Sequence, residues 1–242
     1  MSFFRGFAEM ISFKWRHFKK DIILMLVRCY VAYPLSYRDI EELAFERGLI
    51  VDHSTINRWV IHYSPQLEDT FRRRHKRPTG ISWRMDETYI KVKGQWVYLY
   101  RAVDKEGKTV DFMLSEKCDE PAARAFFEKA IGSNGLPDKV TMDKSGANKA
   151  GVDKINLHLA LLFMLGGLFV QLTVRQIKYL NNIVEQDHRF IKKITKQMKG
   201  FKAFYSADAT LTGIELHHML RKRQHDQSAN EAIFEQFFRL AA

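Results

Sequence analysis

Cysteine is scarce: Cys29 and Cys118 are the only two in 242 residues. They lie far apart and in no metal-ligand spacing. That excludes a disulfide framework, argues against a zinc module, and fits a reducing cytoplasm. Long apolar runs are also missing. The most apolar one, Leu159 to Val170, is bounded by His158 and Gln171; a membrane span needs about 20 residues, so this stretch reads as core. Arg5, Glu9 and Lys14 interrupt any apolar N-terminal stretch, so no signal peptide is expected. The chain shows no internal repeat and no low-complexity tract. It has neither a Gly-rich phosphate loop nor a Gly-x-Ser-x-Gly elbow, which removes support for nucleotide hydrolysis and serine-esterase chemistry.

Acid is in short supply as well. Against 39 Lys and Arg there are 28 Asp and Glu, a formal net charge of +11. The imbalance points to a polyanionic partner, nucleic acid first and an anionic membrane second. A hydrophobic content of 46% and a charged content of 28% are otherwise those of a globular protein. The length suits one large domain or two small ones.

After a basic N-terminal arm, Asp21 opens an apolar helix over Ile22–Tyr30 that stops before Pro34. Ser36 and Asp39 form a capping-box start for a second helix, stapled by Leu35 and Ile40. Ile40, Leu43 and Ala44 form its inner face, and Gly48 is placed to end it. Asp52 then caps a third helix whose inner face is Ile56, Trp59, Val60 and Tyr63. Ser54, Asn57 and Arg58 sit on or beside its outer face. Helix, short turn, helix with a polar face predicts a helix-turn-helix, with those three residues available to base edges. A small helical bundle that binds nothing fits the same pattern. The basic run that follows (Arg72, Arg73, Arg74, His75, Lys76, Arg77) favours DNA. Pro78-Thr-Gly80 breaks the pattern and reads as a domain boundary.

From Ile81 the period changes to two. Strands are expected over 82–92, 95–103 and 109–114, joined by turn signals at Lys93-Gly94 and Asp104–Gly107. A helix follows over 119–131, with Phe126, Phe127 and Ile131 facing inward, then a short strand over 139–142 that ends on Asp143. Residues 145–149 read as loop, 156–165 as a buried helix and 168–174 as a fifth strand. The next helix carries Glu185, His188, Arg189 and Lys192 on one polar stripe, with Lys193 beside it. Ile183, Val184, Ile191 and Ile194 are its apolar side. Helices over 207–223 and 231–240 close the chain. Three antiparallel strands followed by alternating helices and strands make an α/β mixed sheet. The expected parts are an arm and helix-turn-helix over 1–77, a catalytic domain over 80–205, and C-terminal helices over 206–242.

Three acids stand out by placement. Asp86 lies inside a strand, where a charge is costly unless exposed or paired. Asp143 stands at the carboxyl end of a strand, where sites form in sheets of this kind. Glu185 is one turn into a helix, at the head of a row of cations. Converging carboxylates repel unless a cation resolves them. Oxygen ligands without Cys or His at ligand spacing suit Mg²⁺ or Mn²⁺, and two such ions are apt for phosphodiester chemistry. Glu87, Asp104, Asp111, Asp153 and Asp187 are rival acids, and solvation at the surface is the ordinary fate of any single one.

The segment from Asp86 through Glu-Thr-Tyr-Ile-Lys-Val-Lys-Gly, with Trp96-Val-Tyr-Leu-Tyr-Arg-Ala-Val-Asp104, resembles the first catalytic strand pair of DDE transposases from small bacterial insertion sequences. Met142-Asp143-Lys144 resembles the strand end that bears the second acid. Residues 176–189, from Gln176 through Glu185 to Arg189, are similar to the third acid's helix. The group most resembled is the replicative, cointegrate-forming one, and the likeness runs from about Lys20 to Arg223. The resemblance implies a ribonuclease-H-like fold and a metal-binding triad of Asp86, Asp143 and Glu185. It also implies a basic position at Lys192 and recognition of terminal inverted repeats through Asp21–Tyr63. The Asp143–Glu185 interval is longer than is usual in the family, and Lys-Ser-Gly-Ala-Asn follows Asp143 where a Pro-containing loop is expected.

The expected partners are therefore double-stranded DNA, both inverted repeats and target, and further copies of the chain, at least a dimer. The expected setting is a bacterial cytoplasm, at the nucleoid, with no membrane role. Arg189, Lys192 and Lys193 join Ser54, Asn57, Arg58, Arg72, Arg73, Arg74, Lys76 and Arg77 as candidate DNA contacts. Two other readings stay open. One is a catalytically inactive, transposase-derived DNA-binding regulator. The other is a di-iron bundle built on Glu185-x-x-His188 and Glu215-x-x-His218. His217 and His218 read as a solvated helix face.

Overall fold

The computed structural model describes residues 11–14, 17–144, 146–164, 171–177, 182–227 and 231–242. Two compact units emerge. One comprises residues up to Arg77 with Lys196–Met198 and Tyr205–Ala242; the other comprises Pro78–Thr195 with Lys199–Phe204.

The first unit is helical, with α1 over Lys20–Ala32, α2 over Tyr37–Phe45 and α3 over His53–Arg74. The start of α2 is the expected capping box: Ser36 Oγ accepts from the Asp39 N–H, and Asp39 accepts from the Ser36 N–H. Gly48 turns the chain at φ 71°, a left-handed conformation that glycine adopts at no steric cost. Asp52 caps α3 through the Ser54 N–H at 2.8 Å, and Ile56, Trp59, Val60 and Tyr63 are buried as expected. Two helices, α7 over Phe204–Arg221 and α8 over Ile233–Arg239, follow later in the chain. A Cβ on Gly213 of α7 would lie 2.6 Å from Ser64 Oγ and 2.7 Å from Val31 Cγ1, so only glycine lets α7 approach α1 and α3 this closely.

The expectation of a solvated face at His217 and His218 is overturned. Both are buried, as is Glu215, because α7 is enclosed on nearly all sides. Burial, with Arg221 and Arg28 nearby, pushes the His217 pKa down to about 3. The basic run after α3 is not a free arm either. Arg72 to Arg74 complete the last turn of α3, and Arg72 is ion-paired with Glu68. Arg77 donates its N–H to the Gln224 carbonyl and Nη2 to the Asp226 carbonyl, each at 2.8 Å.

The second unit is built on a five-stranded sheet in the order β3-β2-β1-β4-β5. Its strands are β1 Ser82–Val92, β2 Gln95–Asp104, β3 Thr109–Ser115, β4 Lys139–Met142 and β5 Thr173–Gln176. The β1–β2 and β2–β3 pairs are antiparallel, whereas β4 runs parallel to β1 and β5 parallel to β4. This is the ribonuclease-H-like order. Lys93 and Gly94, both at positive φ, make the tight turn between β1 and β2. On one face, Trp83, Met85, Tyr100, Ala102, Val140 and Met142 pack with Phe126 and Phe127 of α4 (Glu120–Asn134) and Val152 and Ile155 of α5 (Gly146–Met164). On the other lies α6, Asn182–Thr195, packed against β1 and β2.

Two expectations change here. Residues 146–149 are not loop but the first turn of α5, which runs to Met164. Gly151 permits this: a Cβ there would meet Ala123 Cβ and the Arg124 nitrogen at 3.0 Å, so α5 crosses α4 nearly backbone to backbone. The later part of α5 is not a buried helix, since Leu157, Leu161 and Met164 are exposed. The fifth strand starts at Thr173, later than expected, and residues 168–170 lie outside the described residues.

Candidate active site

Alternation along β1 sorts its side chains. Trp83 and Met85 turn into the core under α4 and α5, so Asp86 turns to the opposite face, toward α6. The parallel register pairs Ser82 with Lys139, Trp83 with Val140 and Arg84 with Thr141. Asp143 follows the end of β4 directly, half-buried, and its charge adds to the burial that raises the pKa of Asp86 and Glu87, so it stands near both. Glu185 stands in the first turn of α6, and with Asp86 it lines a cleft of about 620 Å³. Arg189 and Lys192, further along α6, line the same cleft.

The electrostatics record this convergence. The Asp86 carboxyl is pushed up to about 7, first by burial, then by Glu87, with Asp143 and Glu185 adding to the effect. A backbone hydrogen bond from Glu87 works in the opposite direction. Among the described residues, the groups whose ligand atoms all lie within 4.8 Å of one another are His75–His225–Asp226 and Glu41–Asp52–His53. Asp86, Asp143 and Glu185 do not form such a group; Asp86 and Glu185 line the cleft, and Asp143 is not among its lining residues. All-oxygen donors and a carboxyl destabilised by its neighbours fit a hard divalent cation. The two histidine-containing groups fit less well. His75 stacks on His225 at 4.6 Å with the rings 11° from parallel, and such rings do not both aim an in-plane lone pair at one ion.

The rival acids are accounted for. Asp104 receives the N–H groups of Gly80, Glu106 and Lys108 and closes the β2–β3 turn. Buried Asp111 pairs with Lys129 at 3.2 Å, and Asp153 pairs with Lys149 at the surface. Glu87 lies 3.7 Å from Cys118 on the opposite face of β1 from Asp86 but still lines the cleft, and burial, then Asp143, raise its pKa. Asp187 pairs at 2.7 Å with Arg101, whose side chain is wholly buried. Arg101 is the residue opposite Asp86 in the β1–β2 register, so this ion pair pins α6 to the sheet beside the cleft. Sequence reasoning passed over Arg101. A cation in mid-strand next to the Asp86 position was the available signal.

His188 lines the cleft with Glu185, Arg189 and Lys192, as the shared stripe predicted, but as its buried member. It is buried with Val184 and Ile191, and Nδ1 lies 3.8 Å from Asp86 Oδ2. Arg189, Lys192 and Lys193 are exposed on α6, and Ser54 and Arg58 are exposed on α3, with Asn57 half-buried. Arg58 Nη2 donates to Thr55 Oγ1 at 2.8 Å. Arg73 pairs with Asp69 at the surface; Arg74 closes α3, and Lys76 bridges to His225. Among the described residues, neither Glu-x-x-His pair belongs to a group close enough to share an ion, so the di-iron reading has no support in the structure. No helix among the described residues is long and apolar enough to cross a membrane.

The chain also resembles known proteins. Residues 80–224 match the family model described as the DDE domain. The transposase of the insertion sequence-like element IS431mec from Staphylococcus aureus is 40% identical over 222 residues, covering 88% of this chain and 90% of its own length. The transposase of insertion sequence element IS257 in transposon Tn4003, also from S. aureus, is equally similar. Among solved structures, the magnesium-bound catalytic core domain of HTLV-2 integrase overlaps 68% of this chain and 86% of its own, at a TM-score of 0.35 and 15% identity. By the domain match and the extent of identity together, the chain belongs to the DDE transposases of insertion sequences.

Proposed function

We propose that this transposase cuts and joins DNA at the inverted-repeat ends of its own element, with Asp86, Asp143 and Glu185 as the catalytic carboxylates. The observation that carries the assignment is the Asp86 carboxyl. It is raised to about 7 by burial and by neighbouring acids at the mouth of a cleft whose other wall bears Arg189 and Lys192. Asp86, Asp143 and Glu185 would hold Mg²⁺ or Mn²⁺, two ions in all, which supply an activated hydroxyl nucleophile and stabilise the leaving oxygen. Arg189, Lys192 and Lys193 hold phosphates along α6. The Arg101–Asp187 pair keeps Glu185 turned toward β1. A strand is cut by water to leave a 3′-hydroxyl, and that hydroxyl then attacks a target phosphodiester while its 3′ oxygen leaves.

The helix-turn-helix supplies sequence recognition, with Ser54, Asn57 and Arg58 at base edges and Arg73, Arg74 and Lys76 along the backbone. Arg72 and Arg77, engaged within their own unit, are the weakest of the candidate contacts. Joining two ends in one event requires at least two copies of the chain, acting at the nucleoid.

Strand transfer with pre-cut ends, with and without Mg²⁺, tests the site. Asp86→Asn, Asp143→Asn and Glu185→Gln are each expected to abolish transfer while end binding in a mobility-shift assay persists. Full Mg²⁺-dependent transfer by Asp86→Asn would overturn the assignment.

A further inference from the structure

The hairpin of β1 and β2 exposes two large aromatic side chains that the chemistry at Asp86 does not use. Tyr89 is 60% exposed and Trp96 61% exposed. Their rings meet edge to face at 6.4 Å, and Tyr98, opposite Tyr89 in the register, lies 5.4 Å from it. Lys91, opposite Trp96, holds Nζ 6.0 Å from the indole centroid. Cross-strand aromatic pairs stabilise hairpins without any ligand. That accounts for the pairing. It does not account for leaving more than half of each ring in water beside the cleft.

The cleft itself makes the connection. On its β4 side, β1 is paired only as far as Arg84, and it next meets a neighbour where Val92 pairs with Phe201. Between these points the edge is open among the described residues, and Asp86, Glu87, Thr88 and Tyr89 all line the cleft in succession. Alternation puts Asp86 on one face and Tyr89 on the other, so the cleft wraps the strand edge. A polymer that leaves the acids around this edge arrives on the aromatic face. Phe201 holds that part of the hairpin in place, exchanging hydrogen bonds with Lys91 and Lys93 at 2.8 Å.

We propose that Tyr89 and Trp96 form a stacking site for an unpaired nucleobase at a DNA end, with Lys91 beside it to meet the phosphate. Ring faces next to a cation are what a sequence-tolerant single-strand site consists of. Bases inside a duplex have their faces covered by neighbours, so the ligand is a base out of the stack. Tyr89 and Trp96 are positioning residues: they touch the end and no reacting atom. The inference rests on the cleft at Asp86 being where DNA ends are processed.

The test compares affinity for two duplexes of one arbitrary sequence, one blunt and one mismatched at its last pairs, at a fixed salt concentration. The full chain should prefer the frayed end. Trp96→Ala and Tyr89→Ala should each lower that preference by about 5- to 100-fold, the range of one base–aromatic stack. Tyr89→Phe and Trp96→Phe should retain it, and 2-aminopurine at the frayed position should be quenched by the parent chain but not by the alanine variants. A parent chain indifferent to fraying, equal loss for both duplexes, or failure of phenylalanine to restore the preference would overturn the proposal. So would a change of oligomeric mass in Trp96→Ala with the preference intact, since the face would then be a protein interface. Asp86→Asn should keep the preference, so failure of stacking and failure of the carboxylate assignment are separately visible.

Discussion

Replacing Asp86 with Asn should stabilise the metal-free protein while destroying its activity, and the gain should depend on pH in a defined way. In the unfolded chain the carboxyl loses its proton at the ordinary value of 3.8; in the fold it does so at about 7. Below about pH 4 both states are protonated and the group costs nothing. As the pH rises from 4 to 7 the unfolded state gives up its proton and the folded state resists, so stability is lost across that window. Above 7 the folded carboxylate is charged at full cost. At about 1.4 kcal/mol per tenfold change in proton affinity, that cost approaches roughly 4 kcal/mol. The side chain keeps 19% exposure, so solvent screens part of that cost, and about 2–4 kcal/mol is the expected gain.

The assay is urea unfolding of parent and Asp86→Asn in EDTA at pH 4.5 and pH 8. The variant should be the more stable at pH 8, and at pH 4.5 the difference should shrink to roughly a quarter of that. Adding Mg²⁺ at pH 8 should raise the parent's midpoint and leave the variant's unchanged, because only the parent keeps the full set of ligands. A variant no more stable than the parent at pH 8, or a gain of equal size at both pH values, would refute the reasoning that these carboxylates strain the fold without a cation.

His217 should govern part of the acid limb of stability: it takes its proton near 6.5 when unfolded and near 3 in the fold, so stability falls as pH drops below about 6.5, by up to about 1.4 kcal/mol per pH unit. Neither ring nitrogen has a hydrogen-bond partner, so His217→Leu should flatten that limb in a series of melting curves without loss at pH 7.5; an unchanged slope would count against it. Asp187→Ala leaves the Arg101 guanidinium buried beside Asp86 and should cost about 3–5 kcal/mol in urea, most of it recovered by Arg101→Met with Asp187→Leu; a single variant as stable as the parent would show that α6 is held by other contacts. Lys192→Ala should weaken binding to all DNA sequences alike and make the log–log salt dependence shallower by about one phosphate contact, and a sequence-dependent loss would argue instead for a base contact.

How much of this was legible in the sequence depended on whether the cause was local. The capping box at Ser36, the Asp52 cap, the left-handed Gly48 and the Lys93-Gly94 turn are set by neighbours in the chain, and each appears as expected. What failed was set from a distance. The first turn of α5 carries two glycines in six residues, Gly146 and Gly151, and looks like loop; helix is retained because Gly151 lets α4 approach where a Cβ would collide. The α7 histidines looked solvated because a helix enclosed on all sides has no polar stripe to show. His188 lines the cleft with Glu185 as the charge pattern predicted, but its burial, with Nδ1 3.8 Å from Asp86 Oδ2, is set by the packing of α6 on β1.

The acids show where that boundary runs. Asp86 and Glu87 are adjacent, equally acidic and both displaced upward in pKa by burial, so neither composition nor electrostatics separates them. Period two does. Trp83 and Met85 are the residues of this stretch that a core would claim, and their parity puts Glu87 on the core side and Asp86 on the other. Which strand stands beside β1 was beyond local reasoning, because nothing near Asp86 fixes the register that pairs Arg84 with Thr141. The fold contributes that one offset, and a slip of a single residue along β4 would turn Val140 and Met142 out of the core. On the assignment proposed above, the β1–β4 register is as much a determinant of the site as the three carboxylates themselves.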